Sequence, residues 1–185
     1  MKTITTKLYS FSELSPEAKD RVIKNRITEA ENDSDLLDHT AGEIVDSIRK
    51  FAEACGYTLQ DWSISAYSRN NKVRISGGDE LDGRRALAHV LRALLSHGYA
   101  RPKRFAEMTF PGVCGITGVC FDDDMIESVW NDLREGESLY RAFCHLADKA
   151  GDILEKENEY LTSREAIMET LDESEEIYTE NGEVF

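Results

Sequence analysis

The sequence contains 185 residues, carries a formal net charge of −14 and has hydrophobic residues at 41% of its positions. This length and apolar content predict a single domain over residues 1–185 with a hydrophobic core of its own. No stretch approaches the ~18 apolar residues of a membrane helix, the N-terminus lacks a signal peptide, and the acidic charge disfavours contact with nucleic acid or an anionic membrane, so we expect a cytoplasmic protein.

The first third of the chain is predicted to form one strand and two helices. Residues 3–11 are rich in β-branched and aromatic side chains, which is typical of a strand. The pair Ser15-Pro16 combines a capping side chain with a residue favoured at the first helical position, so it predicts a helix that ends near residue 31. Apolar residues at three- and four-residue steps predict a second helix over residues 34–55, which Gly56 ends.

The middle of the chain is predicted to alternate between strands and helices. Apolar and polar residues alternate around Trp62, and Val73 and Ile75 follow, which predicts a β-hairpin with one buried face. The further elements predicted from the pattern are a helix over residues 81–97, strands over 104–110 and 115–121, and helices over 122–135, 138–160 and 163–171.

A closing hairpin completes the predicted fold. Residues 176–180 and 183–185 flank Asn181-Gly182, which is a strong signal for a tight turn between two strands. Hairpins grouped between helices predict an α+β fold with an antiparallel β-sheet of about five to six strands and helices packed mainly on one face.

The charges are unevenly placed along the chain. Residues 151–185 hold twelve acidic residues against Lys156 and Arg164, which defines an acidic C-terminal segment. Residues 84–104 hold six arginines and lysines, two histidines and no acidic residue. We expect this basic stretch to neutralise part of the acidic segment, and the alternative is that it contacts phosphates.

Three short patterns are candidate sites of chemistry. Asp122, Asp123 and Asp124 suit a hard cation, but they also suit the start of a helix, and the spacing and glycine of a calcium loop are absent. Cys144 and His145 are neighbours, so on a helix they point roughly 100° apart and cannot act as a nucleophile and base on each other. The glycine-rich residues 110–119 lack the lysine and the helix of a phosphate loop. We therefore predict no bound metal or cofactor and no catalytic residue.

Both ends of the chain resemble a group of small, acidic, uncharacterised proteins encoded by bacteriophages and prophages. The opening Phe11-Ser12-Glu13-Leu14-Ser15-Pro16-Glu17-Ala18-Lys19 is similar to their F-x-E-L-S-x-E-A-K motif. The ending Tyr160-Leu161-Thr162-Ser163, followed by Thr179-Glu180-Asn181-Gly182, is similar to their Y-L-T-S … T-E-D-G motif. The match covers roughly fifty residues, and what it implies is a phage or prophage origin with an accessory role, such as inhibition of host defence.

The leading hypothesis is a phage or prophage accessory binding protein of the anti-CRISPR or anti-restriction type, which is not an enzyme. Its partner would be a host protein or ribonucleoprotein with a basic groove, bound through the acidic surface. The partner-binding residues predicted on the exposed side of the last two helices are Glu155, Glu159, Glu165, Glu169, Asp172 and Glu173.

Two alternative hypotheses remain. The first is an antitoxin-like regulatory protein that forms a homodimer through the edge of the closing hairpin, because an uncovered edge strand readily pairs with another chain. Its interface residues would be Ile177, Tyr178, Val184 and Phe185. The second is a metal-dependent hydrolase that uses Asp122, Asp123 and Asp124.

Overall fold

The computed structural model describes residues 7–98, 116–117 and 121–185 of the protein. Within these ranges the chain forms six α-helices and four short β-strands. It divides into two compact units: the terminal unit, Met1–Leu36 with Lys156–Phe185, and the central unit, Leu37–Glu155. The expectation of one domain stays a prediction.

The terminal unit joins the two ends of the chain. Its elements are β1 (Tyr9–Ser10), α1 (Pro16–Glu31), α6 (Arg164–Glu173) and β4 (Ile177–Tyr178), together with the end of α5 (Leu139–Leu161). Strands β1 and β4 pair antiparallel, with Tyr9 opposite Tyr178. The predicted bounds of α1 are confirmed, because the Ser15 side chain accepts a hydrogen bond from the Ala18 amide at 3.2 Å and Pro16 is the first helical residue.

A fully buried tyrosine is the centre of the terminal unit. The Tyr178 ring meets the edge of Phe11 with ring centroids 6.4 Å apart, and Leu14, Ile23 and Leu171 belong to the same apolar cluster. Such aromatic pairs contribute ~0.5–1.5 kcal/mol beyond the area they bury. The short strands therefore depend on packing for their stability, since two pairs of residues make few ladder hydrogen bonds.

The Tyr178 hydroxyl connects this core to an ion pair. It donates a hydrogen bond to Glu176 at 2.6 Å, and Glu176 binds the Arg26 guanidinium of α1 at 2.5 and 2.6 Å. The Tyr178 and Arg26 hydrogen bonds hold the pKa of Glu176 below its usual value. Burial, and then the neighbouring carboxylate, raise the pKa of Tyr178.

The central unit is built from helices around one hairpin. Its elements are α2 (Asp38–Ala54), β2 (Tyr57–Ser63), β3 (Lys72–Gly77), α3 (Gly83–Ser96), α4 (Phe121–Glu135) and most of α5. Its core contains three packed rings: Phe143 lies 5.2 Å from Phe51 and 5.7 Å from Tyr57 between centroids. The predicted β-hairpin is confirmed, with Val73 and Ile75 buried as expected.

The predicted five- to six-stranded sheet is wrong. In the described residues β1 pairs with β4 and β2 pairs with β3, so there are two separate two-stranded sheets beside six helices. The alternating pattern identified local strands, but it carries no information on which strands pair, and helix faces supply most of the core. The predicted strand over residues 104–110 lies outside the described residues. Of residues 115–121, the described positions 116–117 form a bend and Phe121 begins α4.

We expect Gly78→Ala to destabilise the central unit more than Gly56→Ala. Both glycines have positive φ angles, so both substitutions cost about 1–2 kcal/mol of backbone strain. At Gly78 the added Cβ would also clash with Cζ of Tyr57, whose hydroxyl donates a hydrogen bond to the Asp79 carbonyl at 2.7 Å, whereas at Gly56 it would meet nothing within 4 Å. Urea unfolding followed by tryptophan fluorescence measures both changes, and equal losses of stability would contradict this packing.

Candidate partner-binding surface

Helix α6 has one buried face and one acidic face. Ser163 caps it by accepting a hydrogen bond from the Ala166 amide at 3.2 Å, and Ala166 and Leu171 are buried in the terminal unit. The opposite side carries exposed residues at steps of three and four, which lie next to one another on a helix. We call this set the acidic α6 surface; it consists of Glu165, Met168, Glu169, Asp172 and Glu173.

The acidic α6 surface has an apolar component that the sequence analysis missed. Met168 is 38% exposed between Glu165 and Glu169, and Tyr160 at the end of α5 is 53% exposed. The Tyr160 hydroxyl donates to Glu169 at 3.4 Å, so the aromatic ring borders the same surface. Apolar anchors within a charged rim are typical of protein interfaces. The signal was present in the sequence, because Met168 follows Glu165 by three residues.

The other predicted partner-binding residues lie near this surface or outside it. Glu159 is exposed in the terminal unit, but Glu155 is half-buried and belongs to the central unit. Arg164 at the start of α6 binds Asp20 of α1 at 2.6 Å, and the Arg164 hydrogen bond lowers the pKa of Asp20. The guanidinium of Arg164 is therefore paired with α1. Because Glu155 belongs to the central unit, the candidate surface is restricted to residues of the terminal unit.

The residues predicted for a homodimer are only partly accessible. Tyr178 is fully buried, while Ile177, Val184 and Phe185 are exposed. Strand β4 is also not an open edge: it pairs with β1 on one side, and on the other Tyr178 bridges Val184 while the Phe185 amide donates to the Ile177 carbonyl at 3.0 Å. Tyr178 therefore cannot be an interface residue in this fold, and the homodimer itself stays a prediction.

The aspartate triplet anchors the start of α4. Asp122 is fully buried and accepts hydrogen bonds from the amides of Ile116 and Thr117 at 2.8 and 2.7 Å and from the Thr117 hydroxyl at 3.1 Å. Burial, and then the charges of Asp122 and Asp124, raise the pKa of Asp123. In the part of the chain that the structure describes, no group of three or more His, Cys, Asp or Glu side chains is placed to hold a metal ion.

The described cysteines are Cys55 and Cys144, and both are free thiols. Burial raises the pKa of Cys55 to about 12, which keeps it as a thiol. Cys144 is a half-buried free thiol, and its neighbour His145 contacts Asp132 with 3.0 Å between Nδ1 and Oδ2. Cys114 and Cys120 lie outside the described residues.

Only part of the basic stretch is described. Arg84, Arg85 and Arg92 are exposed on α3, and His89 contacts the Cys55 carbonyl at 2.9 Å through Nε2. Arg101, Lys103 and Arg104 of the stretch lie outside the described residues. The predicted pairing between this stretch and the acidic segment stays a prediction.

Comparison of the chain with models of protein families, with curated protein sequences and with solved structures finds no match. Over the described residues, none of the helices has the length and apolar character required to cross a bilayer.

We expect Asp122→Ala to reduce the stability of the central unit by about 2–3 kcal/mol, because it leaves the amides of Ile116 and Thr117 without their acceptor. The matched control Asp124→Ala removes an exposed carboxylate of the same turn and should cost about 0.5 kcal/mol or less. Thermal unfolding measures both.

Addition of about 5 mM magnesium should leave the melting temperature unchanged, since a specific ligand would raise it. A rise that disappears in Asp122→Ala would instead support the metal-dependent hydrolase.

Proposed function

We propose that this protein is a phage or prophage accessory binding protein that inhibits a host defence or nucleic-acid-handling complex. It places the acidic α6 surface in a basic groove of that complex and so excludes nucleic acid from the groove. The resemblance of both chain ends to small acidic phage proteins supports the origin. The acidic α6 surface supports the mode of action, and it is the observation that carries the proposal.

The charge density of the surface suits a groove built for nucleic acid. Four carboxylates lie between Glu165 and Glu173 on one helix. At ~1.5 Å rise per residue they span ~12 Å, which gives about one charge per 3–4 Å. One strand of DNA carries about one charge per 3.4 Å. A groove that binds a phosphate backbone would therefore meet a similar row of negative charges on α6.

Three of the four acidic residues on the α6 surface do not stabilise the helix, whereas Glu165 lies in the first turn, where the helix dipole favours it. Asp172 and Glu173 lie in its last turn, where the helix dipole favours basic residues, and that turn contains none. Glu169 has another glutamate four residues before it and one four residues after it, and like charges at this spacing destabilise a helix. Each of these unfavourable effects costs only ~0.2–1 kcal/mol. Acidic residues at positions where they do not stabilise the helix support a role of this surface in binding.

We expect the variant with Glu165, Glu169, Asp172 and Glu173 all changed to Lys to fold with a nearly unchanged melting temperature and to lose its partner. The immobilised wild-type protein should capture a DNA- or RNA-binding complex from a bacterial lysate that contains CRISPR and restriction systems. Added duplex DNA should displace that complex. Capture should also weaken steeply between about 50 and 300 mM NaCl, because salt screens surface charges.

The matched control reverses four exposed carboxylates of the central unit, Glu53, Glu127, Glu135 and Asp148, to Lys. It changes the net charge by the same amount but leaves the acidic α6 surface intact, so it should capture the same complex as the wild-type protein. The proposal is wrong if the α6 variant captures that complex equally well, or if the captured complex still binds its nucleic acid.

A further inference from the structure

A β-bulge in β2 determines where Trp62 points. Tyr57 and Leu59 lie opposite Gly77 and Ile75, but the register shifts between Leu59 and Asp61, so Gln60 is the extra residue. Without the shift, strict alternation would place Trp62 on the face opposite to Leu59. With it, Trp62 lies opposite the buried Val73 and shares the inward face of the hairpin.

Trp62 and the first half of α2 line a cleft of about 400 Å³ in the central unit. Trp62 remains 43% exposed although it lies on the inward face, so its indole ring is accessible from the cleft. The α2 residues in the lining include Asp38, Gly42 and Asp46, which follow one another at steps of four on one side of the helix.

Gly42 keeps the space beside Trp62 open. A Cβ at this position would meet nothing within 4 Å, so neither packing nor a turn requires a glycine here. A glycine inside a helix lowers helix stability by ~1 kcal/mol relative to alanine. A helical glycine that neither packing nor a turn requires therefore indicates another role. Because Gly42 has no side chain, a group from another molecule has room to approach the helix next to the indole ring.

The charges in the cleft favour a cation. Among the described lining residues, the carboxylates are those of Asp38, Glu43 and Asp46, and the cationic side chain is that of Arg49, which forms an ion pair with Asp46. His39 contacts Glu43 at 3.4 Å. With His39 neutral the lining has a net charge of −2. A tryptophan face within a negative lining suits a guanidinium group, because the ring attracts the cation and the carboxylates accept its N–H donors.

We propose that this cleft binds an arginine side chain of a partner protein, with the guanidinium between the Trp62 ring and the carboxylates of α2. This site lies in the central unit and does not depend on the acidic α6 surface. It would remain if that surface bound nothing, and its test uses no partner of α6.

The test uses the peptide acetyl-Gly-Arg-Gly-amide and the two tryptophan indole N–H resonances of the ¹⁵N-labelled protein. Trp130 packs partly buried against the core, outside the cleft, and is an internal control. The peptide should shift the Trp62 resonance with a dissociation constant on the order of 1–10 mM and leave Trp130 in place. The same peptide with norleucine instead of arginine should shift neither resonance.

Three variants show whether the cleft is responsible. Gly42→Leu fills the open space and should weaken binding at least about tenfold. The double variant Asp38→Asn with Glu43→Gln preserves shape and should weaken it several-fold, which keeps the test decisive if Gly42→Leu misfolds. Glu53→Gln, an exposed carboxylate near the other end of α2, should have no effect. The proposal is overturned if Trp62 does not respond, if norleucine is as effective as arginine, or if binding survives both cleft variants.

Discussion

The terminal unit depends on the contact between Arg26 and Glu176, together with the buried Tyr178. These residues lie near opposite ends of the chain, and the two strands that meet there are only two residues long. The hydrophobic cluster around Tyr178 supplies the main stabilisation, since burial of an aromatic side chain contributes ~1.5–3 kcal/mol. The ion pair fixes the orientation, because the Tyr178 hydroxyl and the Arg26 guanidinium both bind the carboxylate of Glu176.

This constraint decides what α6 exposes. Leu171 is part of the buried Tyr178 cluster, and Arg164 forms a half-exposed ion pair with Asp20 on α1, so both ends of α6 are attached to the rest of the terminal unit. The carboxylates are left on the outer face, where they repel one another and where Asp172 and Glu173 oppose the helix dipole. The interior contacts compensate for this cost. A binding surface of unfavourable charge can be maintained in this way on a short helix.

Both proposed surfaces combine carboxylates with an exposed apolar or aromatic side chain, but in different geometries. On α6 the carboxylates form a row around Met168, which suits an extended basic groove. In the central unit the carboxylates surround one accessible indole ring in a cleft, which suits a single basic side chain. Both surfaces are negative, in agreement with the net charge of the chain, and each is tested by its own set of variants.

Local signals in the sequence predicted most helices but not the sheets or the details of the surfaces. Ser15-Pro16 and Gly56 gave correct helix ends, because capping and positive φ angles are properties of one or two residues. The pairing of β1 with β4 is a long-range contact that no local pattern specifies. The bulge at Gln60 sets the face on which Trp62 lies, and one inserted residue in a strand leaves no distinct trace in an alternating pattern.

The most direct test of the central claim is the coupling between Arg26 and Glu176, measured by hydrogen exchange of the buried α1 amides in Arg26→Gln, Glu176→Gln and the double variant. Both side chains are partly exposed, so we expect a coupling of about 0.5–1 kcal/mol near pH 7. The pKa of Glu176 is lowered in the folded protein, so this stabilisation is present above its usual pKa and is lost as the pH falls through the folded-state value. The coupling should therefore disappear in acid. Its absence near pH 7, or its persistence after Glu176 is protonated, would contradict the account.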